Sequence, residues 1–460
     1  MNQTTDHIIR TTESVCPVCL SRIAAQRVRR GEDIYLEKNC SEHGFFRTVI
    51  WRGAPAFDSW VRPKTPAYPT TAFTAVRDGC PFDCGLCPEH RQQTCHVLLE
   101  ITQRCDLRCP VCYADSGKPA GSDPSLATIA GWYQRILDSG GPFNIQLSGG
   151  EPTLRNDLPE IIALGRSLGF SFFQLNTNGL RIGREPAFLE ALKQAGLSTV
   201  FLQFDGVQDD IYLKLRGKPL MELKQQSIEN CAQLGIGVIL VPTLAPGINF
   251  QDIGNIVRFA LKYAPTVRGV HFQPISYFGR YTSYQGDASR LTIPEIICAL
   301  VEQTHGLVRE ENFRPPGCEN ALCSFHANFV ILPDGGLLPV TRRQIASGCS
   351  CLPEDGAQGA ALARKFVAQQ WIAPQPFSQL AMVKGPSLGE WDLVLARARS
   401  HSFYISGMAF QDAWNLDLER LRDCCIHIIS PDGYLVPFCA YNLTAESGQS
   451  LYRNIKSIRS

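Results

Sequence analysis

The sequence has no long apolar run: nowhere do hydrophobic residues approach the roughly 20 in succession that a membrane-spanning helix requires. It also has almost no excess of charge. Forty-four Lys and Arg stand against 43 Asp and Glu, a net of +1, which gives no electrostatic reason to expect nucleic acid or an anionic membrane as partner. The first sixteen residues, MNQTTDHIIRTTESVC, lack the apolar core of a secretory leader, so a cytoplasmic, soluble protein is expected. With 460 residues, 44% of them hydrophobic, the chain is long enough to bury a core without disulfide support.

Cysteine is abundant instead. There are 19, most in short-spaced groups, and in a reducing compartment clustered thiols more often bind metal or catalyse than pair as disulfides. Residues 1–70 hold a small cysteine-containing unit and end in a proline-rich arm, Arg62-Pro63-Lys64-Thr65-Pro66-Ala67-Tyr68-Pro69, where proline disfavours both helix and ladder pairing. Residues 71–95 carry a second cysteine group.

From 96 to 275 short apolar runs alternate with amphipathic stretches. Strands are expected at 96–102, 143–148, 171–176, 199–204, 236–242 and 268–273, with helices at about 125–139, 156–168, 185–195, 219–234 and 249–263. This alternation predicts an α/β fold of parallel strands covered by helices, a barrel or an open doubly wound sheet. Ligand sites in such folds lie at the C-terminal ends of the strands. Residues 276–460 form a less regular, cysteine-containing C-terminal domain with an internal echo. FVILPDGGLLPVT (329–341) and HIISPDGYLVPFC (427–439) both read as strand, Pro-Asp-Gly turn, strand.

The first expected strand ends near Thr102 and leads into Cys105, Cys109 and Cys112 on one loop. Three thiolates spaced by four and three can hold three corners of a cubane cluster and leave the fourth iron open, as a catalytic metal site requires. The second strand runs into Ser148-Gly149-Gly150-Glu151-Pro152. The two glycines permit a close backbone approach, and the Glu151 carboxylate can accept from an ammonium group.

Together, CxxxCxxC after the first strand and GGEP after the second resemble the radical S-adenosylmethionine (SAM) superfamily over about residues 96–275. That resemblance implies a partial (β/α)6 TIM-like barrel and a 4Fe–4S cluster on Cys105, Cys109 and Cys112 that binds SAM. It also implies reductive cleavage of SAM to methionine and a 5′-deoxyadenosyl radical. Glu151 would bind the SAM ammonium. Asn176, Thr177, Asn178 and Asp205, at the ends of the third and fourth strands, are candidates for SAM or substrate contacts. Many members carry an aromatic residue just before the third cysteine, where this chain has Val111. Tyr113, just after it, is the candidate to stack on adenine.

The outlying cysteines supply further candidate sites. Cys16 and Cys19 with Cys40 and His43 suit a closed tetrahedral site for zinc or a single iron. Cys80, Cys84 and Cys87 repeat the four-and-three spacing, and with Cys95 they would close an auxiliary 4Fe–4S cluster. Spacing alone does not separate this group from the triad; the strand preceding Cys105, and none preceding Cys80, does. Cys318, Cys323, Cys424, Cys425 and Cys439, with Cys349 and Cys351 also available, could hold another cluster, whereas Cys231 and Cys298 lie in helical patterns as ordinary buried residues.

The order of these pieces, CPVC, CSEHG, GCPFDCGLCPEH, CDLRCPVCYADSG and CCIHIISPDGYLVPFCAYN, resembles the class D radical SAM methyltransferase-like group. That group includes the tetraether lipid synthase, pterin-methylating enzymes and the bacterial radical SAM (seleno)protein TrsS branch. It implies C–C bond formation or methylation at an unactivated carbon of a small-molecule or lipid-like substrate, with an electron donor such as flavodoxin or ferredoxin. Phe170, Phe172 and Phe173 are candidates to line a lipid-like pocket, or else core. A radical SAM peptide or cofactor maturase is the alternative enzyme. A non-catalytic iron–sulfur or zinc electron-transfer protein is the alternative of another class, and it would need neither the GGEP loop nor the barrel.

Overall fold

A computed structural model describes residues 6–62, 64–118, 121–282, 284–341, 354–374 and 397–453; Cys349 and Cys351 lie outside these. Four antiparallel strands open the chain: β1 (His7–Val15), β2 (Arg22–Arg30), β3 (Asp33–Cys40) and β4 (Gly44–Trp51), in the order β1-β2-β3-β4. Cys16 and Cys19 lie in the turn after β1, and Cys40 ends β3 with His43 in the turn beyond it. The proline-rich arm that follows forms only the short strand β5 (Lys64–Thr65), as proline density predicts.

The six expected strands are β6 (His96–Thr102), β7 (Asn144–Gly149), β8 (Phe173–Thr177), β9 (Thr199–Gln203), β10 (Gly237–Val241, continued by β11, Thr243–Leu244) and β12 (Val267–Pro274). All neighbours along this series pair in parallel, and the expected helices are present at Leu126–Asp138, Leu158–Ser167, Pro186–Ala195, Met221–Leu234 and Ile253–Lys262. Two helices that were not anticipated, Leu180–Arg184 and Asp209–Arg216, sit at the ends of β8 and β9. Both are too short to register as periodic patterns.

The C-terminal region enlarges this sheet. Its strands are β13 (Ser324–Ile331), β14 (Leu337–Pro339), β15 (Glu354–Asp355, beside β5), β16 (Ser402–Met408), β17 (Ile426–Ile429) and β18 (Leu435–Pro437). β16 pairs parallel with β12, and β17 pairs parallel with β6. The two Pro-Asp-Gly hairpins, β13–β14 and β17–β18, therefore occupy opposite edges of one sheet, β14-β13-β16-β12-β10-β9-β8-β7-β6-β17-β18. Each hairpin ends its edge with an antiparallel pair. No helix among the described residues is long and apolar enough to cross a membrane.

Phe170, Phe172 and Phe173 are fully buried, with Phe170 and Phe173 packed against Tyr133 in the core between sheet and helices. None of the three lines the cavity at the C-terminal ends of the strands, so of their two expected readings the core holds and the lipid-like pocket does not. Cys231 is buried as expected, but Cys298 is exposed on the helix Ile293–Gln303, 3.3 Å from Glu302.

The C-terminal tail is tied back to β6 by a buried ion pair. Arg453 donates to both oxygens of Glu100 (2.5 and 2.8 Å), with side chains 7% and 6% exposed. Removing one partner of such a pair leaves an uncompensated buried charge, at a cost of about 3–5 kcal/mol. Arg453→Met should lower stability by that order, read as a shift in the urea unfolding midpoint at unchanged slope. A variant unfolding at the parent midpoint would show that the pair adds nothing net to stability.

Candidate active site and metal centres

The C-terminal ends of the parallel strands surround a cavity of about 800 Å³. Cys105, Cys109, Cys112, Tyr113, Gly149, Gly150, Glu151 and Asn178 all line it. The cysteine loop and the GGEP loop meet through backbone hydrogen bonds: Gly150 N–H donates to the Thr102 carbonyl and Glu151 N–H to the Arg104 carbonyl, both at 2.8 Å. A Cβ at Gly149 would overlap the Thr102 carbonyl oxygen, and one at Gly150 the Arg104 carbonyl oxygen. The glycines therefore serve the close approach of two protein backbones. Both glycines also line the cavity. The far side of the loop is held by Arg280, whose backbone pairs with Cys112 and whose Nε donates to the Cys109 carbonyl at 2.8 Å.

Glu151 is 1% exposed. Its Oε1 accepts from Thr153 N–H (3.0 Å) and from the hydroxyls of Thr153 and Thr177 (both 2.7 Å), while Oε2 accepts from Asn178 N–H at 2.7 Å. Burial pushes its pKa up despite these donors. Oε2 retains a lone pair for one further donor. Pro152 is buried and begins the 3-10 turn that carries Thr153. The Tyr113 hydroxyl shares a 2.6 Å hydrogen bond with Ser148, and its ring lies 5.5 Å from that of Phe438. Burial raises the Cys105 thiol to about 12, so a ligand that stabilises the thiolate is needed before it ionises near neutrality.

Asp205 does not line the cavity. It is fully buried and grips Arg216 through two hydrogen bonds of 2.6 and 2.8 Å. Arg216 lines the cavity in its place and interacts with Cys109. The expected ligand contact at Asp205 is thus corrected to a positioning role. Behind it, fully buried Lys224 donates to the Asn178 carbonyl (2.5 Å) and to Gln203 Oε1 (2.8 Å), and desolvation lowers it to about 7. Sequence alone offered no signal for Arg216 or Lys224, since a basic residue on a helix is ordinarily solvated. The cavity floor carries Gln146, Asn176, Gln203, His271, Gln273 and Ser406 from successive strands, with Phe201 stacked on Trp371 at 5.5 Å and 17°.

Two groups of ligand atoms converge to within 4.8 Å among the described residues. One is Cys16, Cys19, Cys40 and His43, where His43 Nδ1 lies 3.5 Å from Cys40 Sγ and 3.7 Å from Cys16 Sγ. Its hydrogen bond to Cys40 lowers that thiol to about 6, so the donor set suits a single tetrahedral metal ion. The other is Cys95, Cys318 and Cys425, which line the main cavity. Cys95 is therefore not the fourth member of the group at Cys80, Cys84 and Cys87. It precedes β6 and bonds through its N–H to the Cys425 carbonyl (2.8 Å), which turns it toward the C-terminal cysteines. Cys323, Cys424 and Cys439 interact electrostatically with one another and form a third neighbourhood.

The model of the radical SAM superfamily matches residues 99–260, and that of the HMPTM N-terminal zinc ribbon domain matches residues 8–52. The class is thus a radical SAM enzyme with an N-terminal zinc ribbon. The chain is 35% identical over 472 aligned residues to 7,8-dihydro-6-hydroxymethylpterin dimethyltransferase of Methanocaldococcus jannaschii, covering 94% of this chain and 93% of the relative. It belongs to the radical SAM superfamily, in the family of that dimethyltransferase. The Fe-coproporphyrin III synthase of Methanosarcina barkeri is 33% identical over 46% of this chain and 52% of its own. Among solved structures, the FeFe-hydrogenase maturase HydG from Carboxydothermus hydrogenoformans overlaps 46% of this chain and 52% of its own, at TM-score 0.38 and 16% identity.

Gly150→Ala should force the GGEP loop off residues 103–104. An overpacked backbone contact of this kind costs about 1–3 kcal/mol. The variant is expected to unfold at lower urea and to retain less SAM on anaerobic ultrafiltration; parent values for both would mean the loops separate without consequence.

Proposed function

We propose that this chain functionalises a carbon of a reduced pterin or a similarly flat, polar heterocycle by methylation, the added carbon coming from a separate one-carbon donor, since SAM cleaved to the radical keeps its methyl group on methionine. The carrying observation is the cavity lining, where amide and imidazole side chains and the stacked pair Phe201 and Trp371 share one cavity with the cysteine triad. Ring nitrogens and exocyclic groups of a heterocycle can exchange hydrogen bonds with amide side chains of this kind, Gln273 and the Nε2 of Gln146 among them. A hydrocarbon chain would offer no hydrogen-bond partner to this polar lining, which favours a polar heterocycle over a lipid. The family relative named above acts, by its name, on such a pterin.

In this reading Cys105, Cys109 and Cys112 hold the 4Fe–4S cluster, and Cys80, Cys84 and Cys87, and separately Cys95, Cys318 and Cys425, hold auxiliary clusters. Cys16, Cys19, Cys40 and His43 hold zinc. Cys323, Cys424 and Cys439 remain available as further ligands. When bound, the first cluster and SAM together supply one-electron cleavage to methionine and a 5′-deoxyadenosyl radical, the electron coming from a donor such as flavodoxin or ferredoxin. The chain's own residues orient the parts. Glu151 Oε2 takes the SAM ammonium on its remaining lone pair. Arg216, fixed by Asp205, neutralises negative charge beside Cys109, and Tyr113 flanks the adenine.

Anaerobically reconstituted protein, reduced and given SAM with carbon-deuterated 7,8-dihydro-6-hydroxymethylpterin, should form 5′-deoxyadenosine that carries deuterium, and Cys109→Ala should form none. Mass spectrometry of the nucleoside reads both. Unlabelled 5′-deoxyadenosine with the pterin, alongside deuterium transfer from a perdeuterated fatty acyl lipid, would overturn the substrate assignment.

A further inference from the structure

The departure of Cys95 leaves the group at Cys80, Cys84 and Cys87 with three thiols. The small cavity they face is closed by Leu421, Arg422 and Pro437, and the one other side chain on its wall able to ligate a metal, among the described residues, is His90. Asp83, in the middle of the same loop, points away: its Oδ2 accepts three backbone N–H bonds of 2.7 Å from Arg77, Asp78 and Gly79. That carboxylate shapes the loop and is not a competing ligand.

His90 is built into the loop. Its N–H donates to the Cys87 carbonyl at 3.0 Å, closing a turn that folds Cys87-Pro88-Glu89-His90 back on itself. The ring is 4% exposed. Nε2 lies 2.8 Å from the Cys424 carbonyl oxygen. A carbonyl can only accept, so Nε2 carries the proton and Nδ1 carries the lone pair. Metal-bound imidazoles commonly hold their second nitrogen in this way, on a carbonyl that fixes tautomer and ring plane. The ring of His427 packs edge-on against it, with centroids 5.0 Å apart.

We propose that His90 Nδ1 is the fourth protein ligand of the cluster at Cys80, Cys84 and Cys87, so that Cys-x3-Cys-x2-Cys-x2-His is a complete site of three thiolates and one imidazole. The inference rests on the auxiliary-cluster reading of this group. Replacing one thiolate by a neutral ligand removes one negative charge, and such substitution raises cluster potentials. The site is then a better electron acceptor than an all-cysteine cluster.

The test is pulsed electron paramagnetic resonance of the reduced, reconstituted full chain, grown with natural-abundance or 15N-labelled histidine, together with iron analysis. A histidine nitrogen coupling should appear and should change with the label. His90→Cys should abolish it, keep the iron content and lower the cluster's midpoint potential, whereas Cys80→Ser should lose about one cluster of iron. Unchanged iron in Cys80→Ser would refute the auxiliary cluster itself. Iron lost in Cys80→Ser, with no histidine coupling or with one that survives His90→Cys, would leave the cluster standing and overturn the ligand assignment.

Discussion

Two backbone hydrogen bonds, from Gly150 N–H to the Thr102 carbonyl and from Glu151 N–H to the Arg104 carbonyl, bring the two chemically important loops onto one rim. They need the loops to meet without side chains between them, since a Cβ at either glycine would strike a carbonyl oxygen. The register of β6 against β7 delivers both loops to the same height. From that contact follows the rest of the site: the triad opens into the cavity, Glu151 turns inward to Thr153, Thr177 and Asn178, and Arg216 reaches Cys109 from the far wall.

The C-terminal region completes what the six β/α units leave open. β16 continues the sheet beyond β12 and contributes Ser406 to the floor, while β17 continues it beyond β6 and brings Cys424 and Cys425 beside Cys95. The hairpins then end both edges with antiparallel partners. Extending the sheet at both edges is what gathers cysteines more than two hundred residues apart, such as Cys95 and Cys318, around one point.

The barrel strands were legible because each is a short apolar run flanked by turn residues, and the observed bounds of β6 match the expected ones. The triad and the GGEP loop were legible because their spacing and their place after strands are local. The partner of Cys95 was not: proximity along the chain pointed to Cys87, whereas sheet pairing with β17 decided the outcome. Asp205 was misread, and Arg216 missed, for a related reason. An acidic residue at a strand end looks like a ligand contact until the helix Asp209–Arg216 returns a cation to it. The core reading of Phe170, Phe172 and Phe173 was available because aromatic residues in a strand are usually core, but only their burial selected it over a pocket lining.

The central claim is that SAM binds the cluster held by Cys105, Cys109 and Cys112, and no other. Mössbauer spectra of 57Fe-reconstituted protein, recorded with and without SAM, test it most directly. One iron site, belonging to one cluster, should change its isomer shift on SAM addition, and that change should vanish in a variant with all three of these cysteines replaced by Ala. A SAM-dependent iron site that survives the triple replacement, or none in the parent protein, would contradict the account.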